Sequence, residues 1–140
     1  MSENCNACIR FIGYVIENDG NKAKIAIFNE YLEGLRRITD FSHLIILYWF
    51  HMRDNKKDRS TILVHPRGDP SKPLVGVFAS RSPCRPNPVG LCVCRLLDIR
   101  GDCIIVEGLD AFVDSPIIDI KPYIPRIDSV PSAKIPDWLK

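Results

Sequence analysis

Short runs of β-branched and aromatic residues, separated by turn-forming residues, recur along the chain and predict a series of short strands. Residues 22–28 alternate as K-A-K-I-A-I-F, and the preceding run ends in the turn sequence E-N-D-G at 17–20, so together they predict a hairpin. The full pattern predicts strands at residues 9–16, 22–28, 42–51, 61–64, 74–79, 89–99, 103–107 and 117–120. Seven or eight short strands favour a mostly β fold, either a single small β-barrel or a strongly curved sheet.

One segment has helical spacing instead. Asn29 can cap a helix, Glu30 lies in its first turn, and the apolar residues that follow are spaced for one face. Gly34 weakens the segment, so it predicts one short helix of two or three turns. The charged residues 52–60, by contrast, predict a solvated, mobile loop.

The stretch at residues 75–91, V-G-V-F-A-S-R-S-P-C-R-P-N-P-V-G-L, joins two predicted strands. Its three prolines fix φ and disfavour helix at the residues before them, which predicts a rigid, extended bridge. Because proline cannot donate to a strand ladder, we expect carbonyl groups here to be free for a ligand. Arg81, Arg85 and Asn87 add polar side chains. Local sequence leaves two alternatives open, a binding loop and a stiff connection between strands.

Two further groups of residues carry candidate chemistry. Asp110 follows a strand in the sequence G-L-D, where glycine permits close backbone approach and the carboxylate can hold ribose hydroxyls or a cation. Asp119 and Lys121 flank one apolar residue, so both lie on the same side of an extended segment. Each group has a structural alternative, because Asp110 can simply end a strand and Asp119 can form an ion pair with Lys121.

Composition narrows the class of protein. The chain has 140 residues, of which 46% are hydrophobic and 26% charged, as in a soluble globular domain. We expect a single domain over residues 1–140, with loose termini at 1–8 and 129–140. The N-terminus lacks a signal sequence and the longest apolar run, residues 44–50, is too short to span a bilayer, so we expect no membrane partner and a cytoplasmic location. A net charge of +2 means that a nucleic acid must be bound by a local basic patch.

The six cysteines give no clear metal site. Cys5 and Cys8 form a C-x-x-C pair, but a structural zinc site needs a second pair or nearby histidines, and the three histidines are scattered. Metal binding is therefore not indicated. We expect the others to be small buried residues in strands (Cys92, Cys94 and Cys103) or a lining residue of the bridge (Cys84).

Three long motifs carry a resemblance to a known family. The sequences F-S-H-L-I-I-L-Y-W-F-H at 41–51, G-V-F-A-S-R-S-P-C-R-P-N-P-V-G-L at 76–91 and D-S-P-I-I-D-I-K-P-Y-I-P at 114–125 resemble the TsaA-like family, also called the TrmO (YaeB) family. The resemblance spans residues 9–128. It implies an S-adenosylmethionine-dependent methyltransferase built on a single β-barrel that forms homodimers. The implied reaction is methylation of N6 of threonylcarbamoyladenosine at position 37 of tRNA. Methylation of another RNA or a small molecule, and cofactor binding without catalysis, are the alternatives.

The resemblance also implies site residues. Cofactor contacts are expected at His51, Met52, Arg81, Leu91, Glu107, Gly108, Leu109 and Asp110. Pocket and RNA contacts are expected at Arg85, Asn87, Lys121 and Tyr123, with the aromatic ring of Tyr123 available to stack a splayed adenine. Asp119 is the candidate base for the N6 proton.

The chain departs from the family pattern at two places. Val113-Asp114-Ser115-Pro116 stands where the family usually has D-G-T-P, which removes a glycine turn and adds charge beside the pocket. The early P-x-Q segment of the family is not recognisable between Ile16 and Glu30. Both differences bear more on the RNA substrate than on the cofactor.

Overall fold

The computed structural model describes residues 6–140, and antiparallel strand pairing organises its fold. The strands are β1 (Gly13–Asn18), β2 (Lys22–Ile27), β3 (His43–Trp49), β4 (Leu63–Val64), β5 (Val75–Gly76), β6 (Val89–Arg100), β7 (Cys103–Glu107) and β8 (Pro116–Pro122). Six of them form a closed barrel in the order β1-β2-β7-β6-β3-β8, and β8 returns to pair with β1. The prediction of a mostly β fold is confirmed. The barrel has fewer strands than predicted because β4 and β5 pair with each other in a separate ribbon.

The period-2 pattern of the strands fills the barrel interior. On β3 the alternate residues Leu44, Ile46 and Tyr48 are buried. Corresponding positions on the other strands complete one core, which includes Val15, Ile25, Cys94, Ile104, Val106 and Ile117. Each large aliphatic side chain contributes about 1.5 to 3 kcal/mol through burial. Among the cysteines expected to be buried, Cys94 and Cys103 are buried and Cys92 is half-buried.

Helical structure is limited to short turns. The predicted helix at Asn29 is in the right place, but it is a 3₁₀ helix over Asn29–Leu35 that lacks a side-chain cap hydrogen bond. The α-helical segments of the described residues are the single turns α1 (Lys56–Arg59) and α2 (Pro125–Asp128), neither of which the sequence pattern indicated. None of the described helices is long and apolar enough to cross a membrane.

Several strands are shorter than the sequence pattern predicted. The first strand begins at residue 13 instead of 9, and β3 ends at residue 49 instead of 51. After the two residues of β5, the chain turns through a 3₁₀ helix at Val77–Ala79. The hairpins β1–β2 and β6–β7 are confirmed.

All neighbouring strands of the barrel are antiparallel, and this fixes which loops meet. The C-terminal ends of β1, β3 and β7 lie at the same end as the N-terminal ends of β2, β6 and β8. We call this the upper end. The connections at residues 19–21, 50–88 and 108–115 therefore all leave or enter the barrel there, whereas residues 28–42 and 101–102 lie at the lower end.

Candidate functional site

Two adjoining cavities lie at the upper end of the barrel, with volumes of about 520 and about 490 Å³. Both volumes are in the range of small-molecule sites. The first cavity is lined by residues that include His51, Met52, Arg53, Pro83, Phe112 and Ser115. The second is lined by residues that include Leu47, Arg85, Asn87, Val89 and Leu91.

Tyr48, Phe50, Arg81 and Asp110 line both cavities. They form a shared wall with two aromatic rings, a guanidinium group and a carboxylate. Two ligands bound side by side would therefore contact the same four side chains. Such an arrangement suits the transfer of a group between two bound molecules, because it holds donor and acceptor next to each other.

A hydrogen bond between Tyr48 and Asp110 fixes the polar part of this wall. Tyr48 faces inward from β3, and its hydroxyl donates to Oδ1 of Asp110 at 2.7 Å. Burial, and then the hydrogen bond to Asp110, raise the pKa of Tyr48 above its ordinary value. The hydroxyl therefore stays protonated and donates, while the Asp110 side chain remains exposed at the cavities.

Asp110 belongs to the connection at residues 108–111, and Asn18 at the end of β1 holds this connection in place. The side-chain amide of Asn18 donates to the carbonyl oxygens of Leu109 at 3.0 Å and Ala111 at 2.8 Å. Gly108 begins the connection with φ of +92°, a conformation that glycine adopts without strain. These contacts fix the backbone on both sides of Asp110.

Gly90 on β6 makes room for the aromatic part of the wall. A Cβ atom on this residue would lie 2.6 Å from Cζ of Tyr48 and 2.8 Å from Cζ of Phe50. The two rings themselves pack edge to face, with centroids 5.3 Å apart. A larger residue at position 90 would displace both rings.

Residues 80–88, the proline bridge, bend at Ser80, Pro83 and residues 85–87 instead of forming the single extended run that was predicted, and several of their carbonyl groups are occupied. Arg85 donates to the carbonyl oxygens of Ser80 and Ser82, both at 3.1 Å. Arg59 donates to that of Pro86 at 2.9 Å. Side chains of the same protein therefore occupy three of the carbonyl groups that were expected to be free for a ligand. Cys84, expected to line the pocket, is not among the lining residues.

The charged segment at residues 52–60 is exposed, but it is anchored, contrary to the expected mobile loop. Arg59 lies over the ring of Trp49, 5.7 Å from its centroid, and pairs with Asp54 at 3.0 Å. Asp54 also accepts a hydrogen bond from the indole nitrogen of Trp49 at 3.1 Å. The hydrogen bond from Trp49, and then that from Arg59, lower the pKa of Asp54. Through Arg59 the segment is joined to both the barrel and the proline bridge.

The structure brings many of the expected site residues together. His51, Met52, Arg81 and Asp110 line the first cavity, and Arg81, Arg85, Asn87, Leu91 and Asp110 line the second. The other expected cofactor residues, Glu107, Gly108 and Leu109, do not line either cavity. Leu109 is buried in the core. Glu107 is the last residue of β7, where it lies opposite Lys22 of β2 in the strand register.

Asp119, Lys121 and Tyr123 are not among the residues that line the two cavities. Asp119 and Lys121 form an ion pair at 2.8 Å on β8, which is the structural alternative left open above, and Asp119 raises the pKa of Lys121. Tyr123 follows the C-terminal end of β8 and packs near His43 at the lower end. The lining of the cavities therefore does not support Asp119 as a base or Tyr123 as a stacking residue.

Sequence reasoning missed several lining residues, including Tyr48, Phe50, Phe112 and Ser115. Tyr48 and Phe50 were interpreted only as members of an apolar strand. The sequence did offer one signal: Tyr48 lies close to the end of a buried strand, and a buried tyrosine hydroxyl needs a polar partner. That requirement would have placed a polar residue beside Tyr48. Ser115 is buried, and its backbone carbonyl accepts from Val15 at 3.0 Å.

The C-x-x-C pair cannot be placed, because Cys5 lies outside the described residues. Within residues 6–140, no group of three or more His, Cys, Asp or Glu side chains is arranged to hold a metal ion.

The lining groups define the kind of ligand that fits. Asp110 offers a carboxylate for a cationic group, Arg81 offers a guanidinium group for a carboxylate, and the rings of Tyr48 and Phe112 offer flat apolar surface. Together they suit a zwitterionic molecule that also carries a flat heterocycle.

Comparisons with known proteins agree on one family. Residues 15–129 match the sequence profile of the tRNA-methyltransferase O N-terminal domain. A probable S-adenosyl-L-methionine-binding protein of Methanocaldococcus jannaschii is 41% identical over 114 residues, which cover 81% of this chain and 90% of that protein. The human tRNA (adenine(37)-N6)-methyltransferase is 38% identical over 103 residues, 74% of this chain and 23% of the enzyme.

Solved structures show the same fold. A crystal structure of TrmO from Pseudomonas aeruginosa superposes with a TM-score of 0.72 at 25% identity, over 94% of this chain and 61% of that one. The chain thus spans less than two thirds of the solved TrmO chain.

Proposed function

The chain belongs to the family of tRNA-methyltransferase O N-terminal domains, and on this basis we propose that it is an S-adenosylmethionine-dependent methyltransferase acting on tRNA. The proposed reaction is methylation of N6 of threonylcarbamoyladenosine at position 37. Relatives named as S-adenosyl-L-methionine-binding proteins and as tRNA (adenine(37)-N6)-methyltransferases support the cofactor and the acceptor. The observation that carries the proposal is the pair of adjoining cavities that share Arg81 and Asp110.

The lining residues fit S-adenosylmethionine. When bound, this cofactor supplies a methyl group activated by a positively charged sulfur. We assign to Arg81 the binding of its carboxylate by charge-assisted hydrogen bonds, and to Asp110 the binding of ribose hydroxyls or the stabilisation of positive charge. His51, Met52 and Leu91 would form walls of the site, while Glu107, Gly108 and Leu109 would act by placing Asp110.

Arg85 and Asn87 would face the acceptor base in the second cavity. The carbamoyl group withdraws electrons from N6, so this N–H is more acidic than that of adenine and its proton can pass to water. Positioning the nitrogen against the methyl group would then account for much of the acceleration, and a strong base would not be needed.

We further propose a homodimer, supported by an apolar face on the outside of the barrel. Ile45 and Val93 are directly opposite each other on β3 and β6, and Val93 is exposed. The next opposed pair, Leu47 and Leu91, continues this face to the rim of the second cavity, which both residues line. The substitution Val93→Glu should shift the protein toward monomer in sedimentation analysis. An unchanged sedimentation coefficient would exclude this face as the interface.

The proposal places the activity in one domain over residues 1–140 acting on tRNA in the cytoplasm.

Transfer of a labelled methyl group tests the function. The protein is incubated with methyl-labelled S-adenosylmethionine and with threonine tRNA that carries, or lacks, threonylcarbamoyladenosine at position 37. We expect label only in the modified tRNA, on the nucleoside at position 37. Label in other RNAs or small molecules of a cell extract would identify a different acceptor, and cofactor binding with no labelled product would indicate a binding protein.

A further inference from the structure

The segment at residues 53–59, with the sequence R-D-N-K-K-D-R, neutralises its own acidic residues. Asp54 is paired with Arg59, as described above. Asp58 lies 3.6 Å from Arg53 and accepts a hydrogen bond from the side chain of Asn55 at 2.8 Å. The hydrogen bond from Asn55 lowers the pKa of Asp58, so this carboxylate stays charged and paired. The two arginines of the segment are therefore used internally.

The two lysines of the segment remain outside this network. Lys56 and Lys57 are exposed on α1, and neither forms an ion pair with any residue from 6 to 140. Their backbone carbonyls accept hydrogen bonds from the hydroxyls of Ser60 and Thr61, which fixes the turn that carries them. The segment thus presents two uncompensated positive charges on a rigid support. We call Lys56 and Lys57 the lysine pair.

Residues at both ends of α1 connect the lysine pair to the region of the cavities. Before α1, Arg53 lines the first cavity. At its end, Arg59 holds the proline bridge through Pro86, and the same bridge carries Arg81, which lines both cavities. The exposed lysine pair is therefore carried by a segment whose two ends contact the cavity lining and the proline bridge.

We propose that the lysine pair binds the phosphate backbone of the RNA that flanks the nucleotide entering the cavities. This inference rests on the proposed function, which places an RNA nucleotide in the site. A chain with a net charge of only +2 needs such a local patch to hold a polyanion. Lysine ammonium groups act as point charges, so the contact positions the RNA and adds affinity without reading its sequence.

The test compares three double variants for binding to a tRNA anticodon stem-loop over a range of salt concentrations. Lys56→Ala/Lys57→Ala removes the lysine pair, and Lys56→Arg/Lys57→Arg keeps its charge. Arg126→Ala/Lys134→Ala is the matched control, because it removes two exposed positive charges from outside the segment that likewise form no ion pair within residues 6–140. Affinity for S-adenosylmethionine is measured for each variant to verify that the cavities are intact.

We expect the alanine variant to bind RNA more weakly, with the slope of log affinity against log salt reduced by about 2 relative to wild type. Its loss of RNA affinity relative to wild type should shrink by roughly 16-fold between 50 and 200 mM salt, because the removed contact is electrostatic. The arginine variant and the control should keep the wild-type slope, and all variants should bind the cofactor alike.

Equal slopes for the alanine variant and the control would overturn the inference. A change in sedimentation of the alanine variant would also overturn it, by assigning the lysine pair to contacts between copies of the chain. The proposed function is judged separately, by methyl transfer to modified tRNA with the wild-type protein. A wild type that transfers methyl groups while the alanine variant retains its RNA affinity would leave the function standing and remove only the phosphate contact.

Discussion

At the scale of single residues, Asp114 shows how this chain tolerates a departure from its family. The residue has φ of +73°, in the left-handed region, where the family usually has glycine. Its backbone N–H donates to the carbonyl of Val15 at 2.8 Å, and this contact holds the turn before β8. The turn is therefore kept although the glycine is lost, and the aspartate adopts a conformation that costs about 1 to 2 kcal/mol for a residue with a Cβ atom.

Asp114→Gly should stabilise the protein. Relief of the left-handed strain is partly offset by the greater freedom of glycine in the unfolded chain, so we expect the free energy of unfolding in urea to rise by about 0.5 to 1 kcal/mol. Asp114→Ala serves as the control, because it removes the charge but keeps the Cβ atom and therefore the backbone strain. If both substitutions stabilise the protein equally, charge and not backbone strain is responsible.

Tyr48→Phe should weaken binding of S-adenosylmethionine. The substitution removes the hydroxyl that orients Asp110 and leaves the ring in place, so we expect a loss of about 1 kcal/mol, roughly five-fold in affinity, in titration calorimetry. Tyr123→Phe at the lower end is the control and should bind normally. Unchanged affinity of Tyr48→Phe would mean that Asp110 does not need this hydrogen bond.

At the scale of elements, the local sequence pattern predicted those features that depend on residues close together in the chain. The alternation of residues 22–28 and the turn at 17–20 were sufficient for the first hairpin. The pairing of β4 with β5 was not predictable in this way, because it depends on how a long connection folds back outside the barrel. The same holds for the proline bridge, whose carbonyl at Pro86 binds a guanidinium group 27 residues earlier in the chain.

The contact between Asp54, Trp49 and Arg59 should make the anchored segment sensitive to acid. An aspartate whose pKa is lowered in the folded state contributes stability above its unfolded pKa of about 3.9 and loses it as the pH falls through the lower folded value. We therefore expect wild type to exceed Asp54→Asn in free energy of unfolding at pH 6, and the difference to shrink at pH 3. A difference independent of pH would show that the charge of Asp54 is not what anchors the segment.

At the scale of the whole molecule, closure of the barrel assembles the site from distant parts of the chain. Asn18 at the end of β1 holds carbonyl groups more than 90 residues later, and β3 supplies the tyrosine that meets Asp110. The family motifs indicated several residues that line the cavities, including His51, Arg81 and Asp110. They could not show that Asp119 and Lys121 pair with each other on β8, because strand register and facing are properties of the closed barrel.

Binding of S-adenosylmethionine to wild type and to Arg81→Ala, measured by titration calorimetry, tests the central claim most directly. That claim is that the wall shared by the two cavities forms the cofactor site. We expect wild type to bind one cofactor per chain, Arg81→Ala to bind at least about ten-fold more weakly through loss of a charge-assisted contact, and Arg100→Ala at the lower end to match wild type. Equal affinity of Arg81→Ala and wild type would contradict the claim and place the cofactor elsewhere.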